Sequence, residues 1–137
     1  GNLFVTEMGP SKNDEINLVQ SGGNYGWPEQ ECSGNEEFID PINCYDPAIE
    51  PGGIVFYYGD KIKLENSLVL ASLRASHLFN LEIDEDGVKS QKSILSGVGR
   101  IRDVAVGPDG YLYLITSNTD GKGFPDASDD KLLRIVK

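Results

Sequence analysis

The residues best suited to chemistry lie near the start of the chain, where carboxylates are interspersed with glycine, proline and asparagine. Two stretches carry them, one from Glu7 to Asn17 and one from Gly22 to Pro28. Carboxylates beside backbone carbonyls that Gly and Pro leave free are the ligands that a hard cation such as calcium selects. The same residues also fit an ordinary turn at Asn13-Asp14 followed by a rigid loop. On the residues alone both interpretations stay open.

The charge balance excludes one large class of function. The chain has 137 residues and a formal net charge of −10 at pH 7, with a pI near 4.4. Nucleic-acid binding needs a basic surface that neutralises phosphates, and so we predict no nucleic-acid partner. An acidic surface fits ordinary solvation as well as cation binding. No stretch approaches the length of a membrane-spanning helix, and we predict no membrane span.

Two cysteines, Cys32 and Cys44, lie in a stretch that we interpret as a long loop. In an exported protein they could close a disulfide worth about 3 kcal/mol, whereas in a cytosolic protein they would stay free thiols. A zinc site is not indicated, since no second Cys/His pair accompanies them. The chain begins with residues Gly1 to Val5, which are typical of the middle of a β structure, and these are not preceded by an initiator Met or a leader. We therefore expect a fragment or an excised domain.

Short apolar runs with partial alternation predict that β-strands position these residues. Turns with glycine, such as Glu85-Asp86-Gly87 and Pro108-Asp109-Gly110, suit tight hairpins between the runs. The predicted strands cover residues 3–5, 16–19, 54–57, 68–70, 78–83, 88–95, 101–106, 112–114 and 132–136.

The grouping of these strands indicates a repeating architecture. Units of about four antiparallel strands, recurring every 45 to 65 residues or so, are typical of β-propeller blades. We therefore predict an all-β fold of about two to three four-stranded blades, with a β-sandwich as the alternative. So few blades cannot close a ring. Further blades or a second copy of the chain would have to cover the open faces.

Several ordered motifs carry a family resemblance. They are Glu-X-Gly-Pro at residues 7–10 with Asp-Glu-Ile-Asn-Leu at 14–18, Gly-Gly-Asn-Tyr-Gly-Trp-Pro at 22–28, the stretch 99–114, and the strand 130–135. Together they resemble the soluble quinoprotein glucose/sorbosone dehydrogenases, including the aldose sugar dehydrogenases. The resemblance runs almost end to end and is weakest between residues 29 and 46. It implies the C-terminal portion of an exported six-bladed propeller that oxidises sugars at C1 with pyrroloquinoline quinone (PQQ) and calcium.

The resemblance also implies metal ligands at four positions. Gly9 and Pro10 match the segment whose backbone carbonyls hold the calcium that also binds the quinone. Glu15 and the carbonyl of Tyr25 match a second, structural calcium site. By this reasoning residues 1–137 form one domain that supplies part of a calcium cradle.

Three arginines match the basic residues that surround the quinone in the family, namely Arg74, Arg100 and Arg102. An arginine fork suits the carboxylates of the cofactor, and alternate residues on a strand place Arg100 and Arg102 on one face. The alternative is a surface ladder in which these arginines pair with acidic neighbours. His77, which lies between Arg74 and the predicted strand from Leu78, is better explained as an ordinary blade or loop histidine than as the catalytic base, and we assign no catalytic residue to the chain.

Two functions follow from these expectations. The first is the C-terminal part of a sugar dehydrogenase, inactive alone because the base comes from an earlier blade. The alternative is a non-catalytic, calcium-stabilised propeller that serves as a binding or adhesion module of a surface or secreted protein. A lactonase-like propeller would need a central set of carboxylates and asparagines that the motifs do not supply.

Overall fold

The computed structural model describes residues 1–64 and 67–136. The predicted domain of residues 1–137 thus includes Glu65, Asn66 and Lys137, which lie outside the described residues. The described part of the chain contains ten strands, and no helix there is long and apolar enough to cross a membrane. The strands are β1 (Leu3–Glu7), β2 (Asp14–Val19), β3 (Asn43–Tyr45), β4 (Pro51–Tyr57), β5 (Ser67–Ser72), β6 (His77–Asp84), β7 (Gly87–Ser96), β8 (Ile101–Val106), β9 (Leu112–Thr116) and β10 (Leu132–Arg134).

The strands form three antiparallel sheets that follow one another along the chain. The first sheet has the order β1-β2-β3, the second β4-β5-β6-β7, and the third β10-β9-β8. Within each sheet, consecutive strands pair antiparallel, for example with Glu7 opposite Glu15 and Val106 opposite Leu112. Only the second sheet has four strands among the described residues, and the sheets on either side of it have three each.

Two apolar clusters hold the sheets face to face. Leu68, Leu70 and Leu81 of the second sheet pack with Ile16 of the first. The opposite face of the second sheet packs against the third, through Val69, Ala71, Leu78, Ile101, Leu112 and Leu114. Because alternate strand residues point to opposite faces, a strand that is covered on both sides buries the residues of both its faces. This explains why every residue of β5 is buried.

The predicted strands are all present, with two differences at the ends of sheets. The last strand is shorter than expected, ending at Arg134 rather than Val136. The stretch that we interpreted as a long loop contains β3, which pairs with β2 and carries Cys44. Cys44 forms a disulfide with Cys32, with the two Cα atoms 5.7 Å apart. The disulfide interpretation of the cysteines is thereby confirmed.

Five connections meet at one end of the three sheets, because alternate connections of an antiparallel sheet share an end. We call this the site end. Backbone and side-chain hydrogen bonds link its loops, as from Leu73 N–H to the Glu50 carbonyl and from Ser117 N–H to the Arg100 carbonyl. The site end consists of residues 8–13, 46–50, 73–76, 97–100 and 117–131.

Strand β4 touches both neighbouring sheets at a pair of glycines. The hydroxyl of Thr6 in β1 donates to the carbonyl of Gly52 at 2.8 Å. On the other side, a Cβ at Gly52 would lie 2.1 Å from the carbonyl oxygen of Arg102 in β8. A Cβ at Gly53 would lie 1.6 Å from the Asp103 carboxylate. Only glycine allows the backbones to approach so closely here.

Candidate functional site

A buried carboxylate joins two loops of the site end. Asp14, at the start of β2, is 1% exposed. One of its oxygens accepts the backbone N–H of Gly9 at 2.9 Å. The other accepts the N–H groups of Ile49 and Glu50 at 2.7 and 2.8 Å. Three charge-assisted bonds satisfy the buried charge and fix both loops relative to β2.

The side chain of Glu50 continues this network into the third sheet. Its carboxylate meets the Arg100 guanidinium at 3.0 Å. The Nε of Arg100 bonds Asp120, also at 3.0 Å, and Arg102 reaches the same Asp120 oxygen at 3.5 Å. Arg100 is 8% exposed, whereas Arg102 is exposed and also bonds Ser117. Two carboxylates thus already face the Arg100 cation.

We predicted that Arg100 and Arg102 alternate along one strand, but only Arg102 lies in a strand. Arg100 precedes β8, and the pairing of β8 with β9 shifts register between Ile101 and Asp103. The two side chains still converge on Asp120. The acidic pairing that we gave as the alternative is present for both arginines.

Asn118 is a buried residue that holds the β9–β10 loop in place. It is 3% exposed, and its side-chain oxygen accepts the backbone N–H of Arg100 at 2.7 Å. Its amide nitrogen donates to the carbonyl of Val98 at 3.1 Å. Two glycines enclose it, since a Cβ at Gly99 would lie 2.1 Å from its side-chain oxygen and one at Gly123 would lie 2.5 Å from its carbonyl. Gly99 and Gly123 therefore both pack against Asn118.

A cavity of about 260 Å³ opens beside this asparagine. Arg74, Arg100 and Lys122 bring cations to its wall from three different connections. Within the described part of the chain, Arg74 has no carboxylate at salt-bridge distance, and Lys122 lies 3.7 Å from Glu50 with its side chain 67% exposed. Phe124, which is 98% exposed, completes one side. We call this the cationic pocket; its full lining is Leu73, Arg74, Ser76, Gly99, Arg100, Asn118, Lys122, Gly123 and Phe124.

Carboxylates around this pocket are held in their charged form. The pKa of Asp120 is lowered, chiefly because the backbone N–H of Lys122 donates to it and also because Arg100 bonds it. The pKa of Asp129 is lowered by the N–H of Asp126 and the side chain of Asn118. Hydrogen bonds to a carboxylate favour its ionised form. The loop is therefore fixed by charged acceptors near neutral pH.

Gly9 and Pro10 lie in the tight β1–β2 loop of the site end. A Cβ at Gly9 would lie 1.9 Å from the Lys12 carbonyl oxygen and 3.0 Å from that of Asn13. Carbonyl oxygens thus gather around Gly9, while Asp14 fixes its N–H. Oxygen donors gathered on a rigid turn suit a hard cation.

Glu15 lies on the other face of β2 from Asp14 and is 5% exposed. It accepts the backbone N–H of Cys32 and, at 3.2 Å, the side-chain amide of Asn17. The side-chain oxygen of Asn17 is buried without a partner among the described residues. Burial and the nearby charge of Glu15 raise the pKa of Glu7.

The hydroxyl of Tyr25 bonds backbone groups near the other end of β2. That group donates to the Leu18 carbonyl at 2.7 Å and accepts the Gln20 N–H at 2.8 Å. The described contacts therefore connect Glu15 with Cys32 and connect Tyr25 with the far end of β2. Among residues 1–64 and 67–136 no three His, Cys, Asp or Glu side chains form a metal-binding group. A cation at the Gly9 turn would depend on carbonyl oxygens, and one at Glu15 would need carbonyl and amide oxygens in addition to the carboxylate.

Five residues of the site were missed by sequence reasoning: Glu50, Asn118, Asp120, Lys122 and Phe124. The turn-like run Asn118-Thr119-Asp120-Gly121 is a signal for a loop, and a basic residue next to it could have been noted. Nothing local marks Glu50, which meets Arg100 across a separation of 50 residues. His77 is the first residue of β6; its Nδ1 contacts the Ala75 carbonyl and its ring stacks on that of Phe79, with the ring centroids 5.4 Å apart.

Comparison with known proteins agrees with this geometry. The fold is similar to an oxidoreductase described as a glucose dehydrogenase from Thermus thermophilus, with a TM-score of 0.86 and 39% identity over 97% of this chain and 41% of that one. It is also similar to the PQQ-bound aldose sugar dehydrogenase of Streptomyces coelicolor, with a TM-score of 0.81 and 35% identity over 97% of this chain and 39% of that one. Successive antiparallel sheets joined at one end by a cation-lined pocket are here part of a dehydrogenase-type β-propeller.

The sequence comparison specifies the family. The Glucose / Sorbosone dehydrogenase family matches residues 1–134, and the chain belongs to this family. It is 32% identical to the aldose sugar dehydrogenase YliI of Escherichia coli (strain K12), over 88% of this chain and 37% of that protein. The chain thus spans about two fifths or less of the length of these relatives. The resemblance and the prediction of a partial propeller are confirmed, and the β-sandwich is excluded.

Proposed function

We propose that the chain is the C-terminal part of a PQQ- and calcium-dependent sugar dehydrogenase that oxidises the C1 hydroxyl of aldoses. The observation that carries the proposal is the cationic pocket at the site end, in which Arg74 and Arg100 come together from separate loops. Family membership and similarity to a PQQ-bound aldose sugar dehydrogenase support it.

The pocket's side chains fit a flat polycarboxylate. PQQ carries three carboxylates and an orthoquinone, and guanidinium and ammonium groups are the natural partners of carboxylates. Arg74 and Lys122 have charge to offer, because Arg74 has no carboxylate partner in the described residues and the pairing of Lys122 is long. Arg102 is not part of the lining, and we assign it to the outer rim through Asp120.

Calcium fits two places in the chain. The carbonyl oxygens of Lys12 and Asn13 lie close to Gly9 in the turn that also contains Pro10, and oxygen donors held together in this way suit a hard cation. At Glu15, the unpartnered oxygen of buried Asn17 supplies a further donor beside the carboxylate. The carbonyl of Tyr25 belongs to the proposed second site by family resemblance.

The role of the chain in the reaction is positioning. When bound, the quinone and its calcium would supply the electron acceptor for the oxidation. Asp14 holds the Gly9 loop and the Glu50 loop at a fixed separation, and Glu50 and Asp120 orient Arg100 at the pocket wall. The proton of the sugar hydroxyl would pass to a base outside these residues, so the chain alone would be inactive.

The same proposal predicts what covers the outer sheets and in which compartment the protein lies. Leu3 and Val5 of the first sheet and Ile115 and Leu132 of the third are exposed apolar residues on the outer sides of the stack. Further blades of the longer polypeptide would cover them, a second copy being the other possible cover. The disulfide supports an exported protein, because disulfides persist in oxidising compartments.

One observation favours a second candidate, a calcium-stabilised propeller that binds a partner without catalysis. Arg100 is already paired with Glu50 and Asp120, as a purely structural arginine would be. Such a module would keep the Glu15 site and the fold but would not retain the quinone.

Reconstitution separates the two candidates. The longer polypeptide that the proposal requires is loaded with PQQ and calcium, passed through gel filtration, and assayed for dye reduction with aldoses. Retained quinone absorbance with turnover is the expected result. Loss of the quinone on the column together with zero turnover would leave the binding module as the better account.

A further inference from the structure

The cationic pocket contains two residues that no motif assigned, Lys122 and Phe124. Both belong to the loop between β9 and β10, and both line the cavity with Arg74 and Arg100. Their position follows from Gly123, which stands between them. With no side chain of its own, Gly123 packs directly on the backbone of Asn118, where a Cβ would lie 2.5 Å from the carbonyl oxygen. The loop is thereby folded back against Asn118, with Lys122 and Phe124 at the cavity wall.

The cations of the pocket are not equivalent. Arg100 is 8% exposed and has a carboxylate at 3.0 Å on each of two sides. Its charge is therefore largely neutralised before any ligand arrives. Lys122 has a side chain that is 67% exposed and only a 3.7 Å approach to Glu50. Exposed pairs of this length contribute little, so the ammonium group is available to an incoming anion.

Phe124 has a ring that nothing in the described residues covers, at 98% exposure. An exposed aromatic ring beside Arg74 and the weakly paired Lys122 is suited to a ligand that is both flat and anionic. The ring face would stack on the planar body while the cations meet the carboxylates.

We infer that Lys122 and Phe124 form a ligand-contacting flap over the cationic pocket, Lys122 binding a carboxylate of a flat aromatic polycarboxylate and Phe124 stacking on its ring plane. This inference rests on the proposed function, in which PQQ is that ligand. It assigns to Arg100 a positioning role and to Arg74 and Lys122 the direct anion contacts.

The test measures the dissociation constant of PQQ by equilibrium dialysis, read from quinone absorbance, in the longer polypeptide with calcium present. We expect Lys122→Ala to weaken binding about ten-fold, as for loss of one hydrogen bond to a charged group. Phe124→Ala is expected to weaken it about five-fold through lost stacking. Lys122→Arg should restore most of the affinity. The affinity of Lys122→Ala should also fall less steeply with added NaCl than that of the unmodified protein.

Matched controls are available in the chain. Lys89→Ala removes a lysine whose side chain is 68% exposed, and Tyr58→Ala removes an aromatic residue that is 80% exposed at the opposite end of β4. Both should bind the quinone like the unmodified protein. If the quinone binds and the flap variants match these controls, the inference is overturned while the proposed function stands. If the unmodified protein does not bind the quinone, both fall together.

Discussion

The carboxylate of Asp14 accepts the backbone N–H of Glu50 at 2.8 Å across 36 positions of the chain. The side chain of the same Glu50 then binds Arg100 at 3.0 Å. Asp14 also accepts the N–H of Gly9. The loop that we propose to hold calcium and the arginine at the wall of the cationic pocket are therefore connected through two carboxylates. Displacement of either loop has to be transmitted to the other.

Replacing Asp14 with Asn tests this connection. The amide puts an NH2 group where an oxygen accepted backbone N–H groups, and leaves buried donors facing one another. We expect the free energy of unfolding to fall by about 3 kcal/mol, measured by urea denaturation followed by circular dichroism. Asp86→Asn, at an exposed turn, is the control and should change it by less than about 0.5 kcal/mol. Equal midpoints for the two variants would contradict the role given to Asp14.

Alanine substitutions at Gly97 and Gly99, two glycines of one loop, distinguish the cost of backbone strain from the cost of lost packing. Gly97 and Gly99 have φ of 79° and 88°, and alanine at either position carries the cost of a left-handed backbone. A Cβ at Gly97 meets nothing within 4 Å, whereas one at Gly99 would displace Asn118. We therefore expect Gly99→Ala to lower the melting temperature clearly more than Gly97→Ala. Indistinguishable thermal melts would show that Asn118 can move freely.

Calcium binding at Glu15 predicts a charge-specific effect. Calcium should raise the melting temperature of the unmodified chain and excess chelator should reverse the rise. Glu15→Gln should abolish the response, since the amide lacks the charge that a hard cation requires. Glu85→Gln, in the exposed β6–β7 turn, should respond like the unmodified chain. A calcium response that survives in Glu15→Gln would place the ion elsewhere.

The aspartates of the β9–β10 loop predict acid sensitivity. The pKa of Asp130 is lowered by the Thr119 hydroxyl and the Asn118 N–H, and those of Asp120 and Asp129 are lowered as well. A lowered folded-state pKa gives stability that is complete above the ordinary carboxyl value of 3.8 and is lost as the pH falls through the folded-state value. Asp130→Asn should therefore flatten the stability profile below about pH 4. Asp60→Asn, whose side chain is 88% exposed, should leave the profile's slope unchanged.

The disulfide provides a prediction about the first sheet. Replacing Cys32 and Cys44 together with serine removes a link between positions 12 residues apart. On chain-entropy grounds the free energy of unfolding should fall by about 3 kcal/mol. A reducing agent added to the unmodified chain should give a similar loss in the same urea experiment. A double variant as stable as the unmodified chain under oxidising conditions would contradict this estimate.

Most of the fold was predictable because local patterns mark most of its strands and turns. Ser67–Ser72 and Ile101–Val106 carry apolar residues at the spacing that a strand requires, and glycine-bearing turns separate them. Strand β3 was missed because Asn43–Tyr45 has three residues and no alternation. It forms through pairing with β2 and through the disulfide, which are contacts that no local pattern shows.

The candidate site was predictable only where motifs marked it. Arg74 and Arg100 were chosen by resemblance and do line one pocket. The acidic partners of Arg100 could not be assigned, because Glu50 and Asp120 approach it from two other loops. The assignments of Gly9, Pro10, Glu15 and Tyr25 to calcium stay predictions. Spacing along a chain specifies which residues share a strand face, but not which loops of different sheets meet.

Gly52 determines how closely three sheets can approach one another. Its carbonyl accepts the Thr6 hydroxyl of the first sheet, and its Cα lies against the Arg102 carbonyl of the third, so three consecutive sheets meet at a residue that lacks a side chain. A methyl group at Gly52 would have to push the Arg102 backbone away, because a Cβ there would lie 2.1 Å from the carbonyl oxygen. The second and third sheets would then lie further apart at this point, and the loops that carry Glu50 and Arg100 would move apart with them.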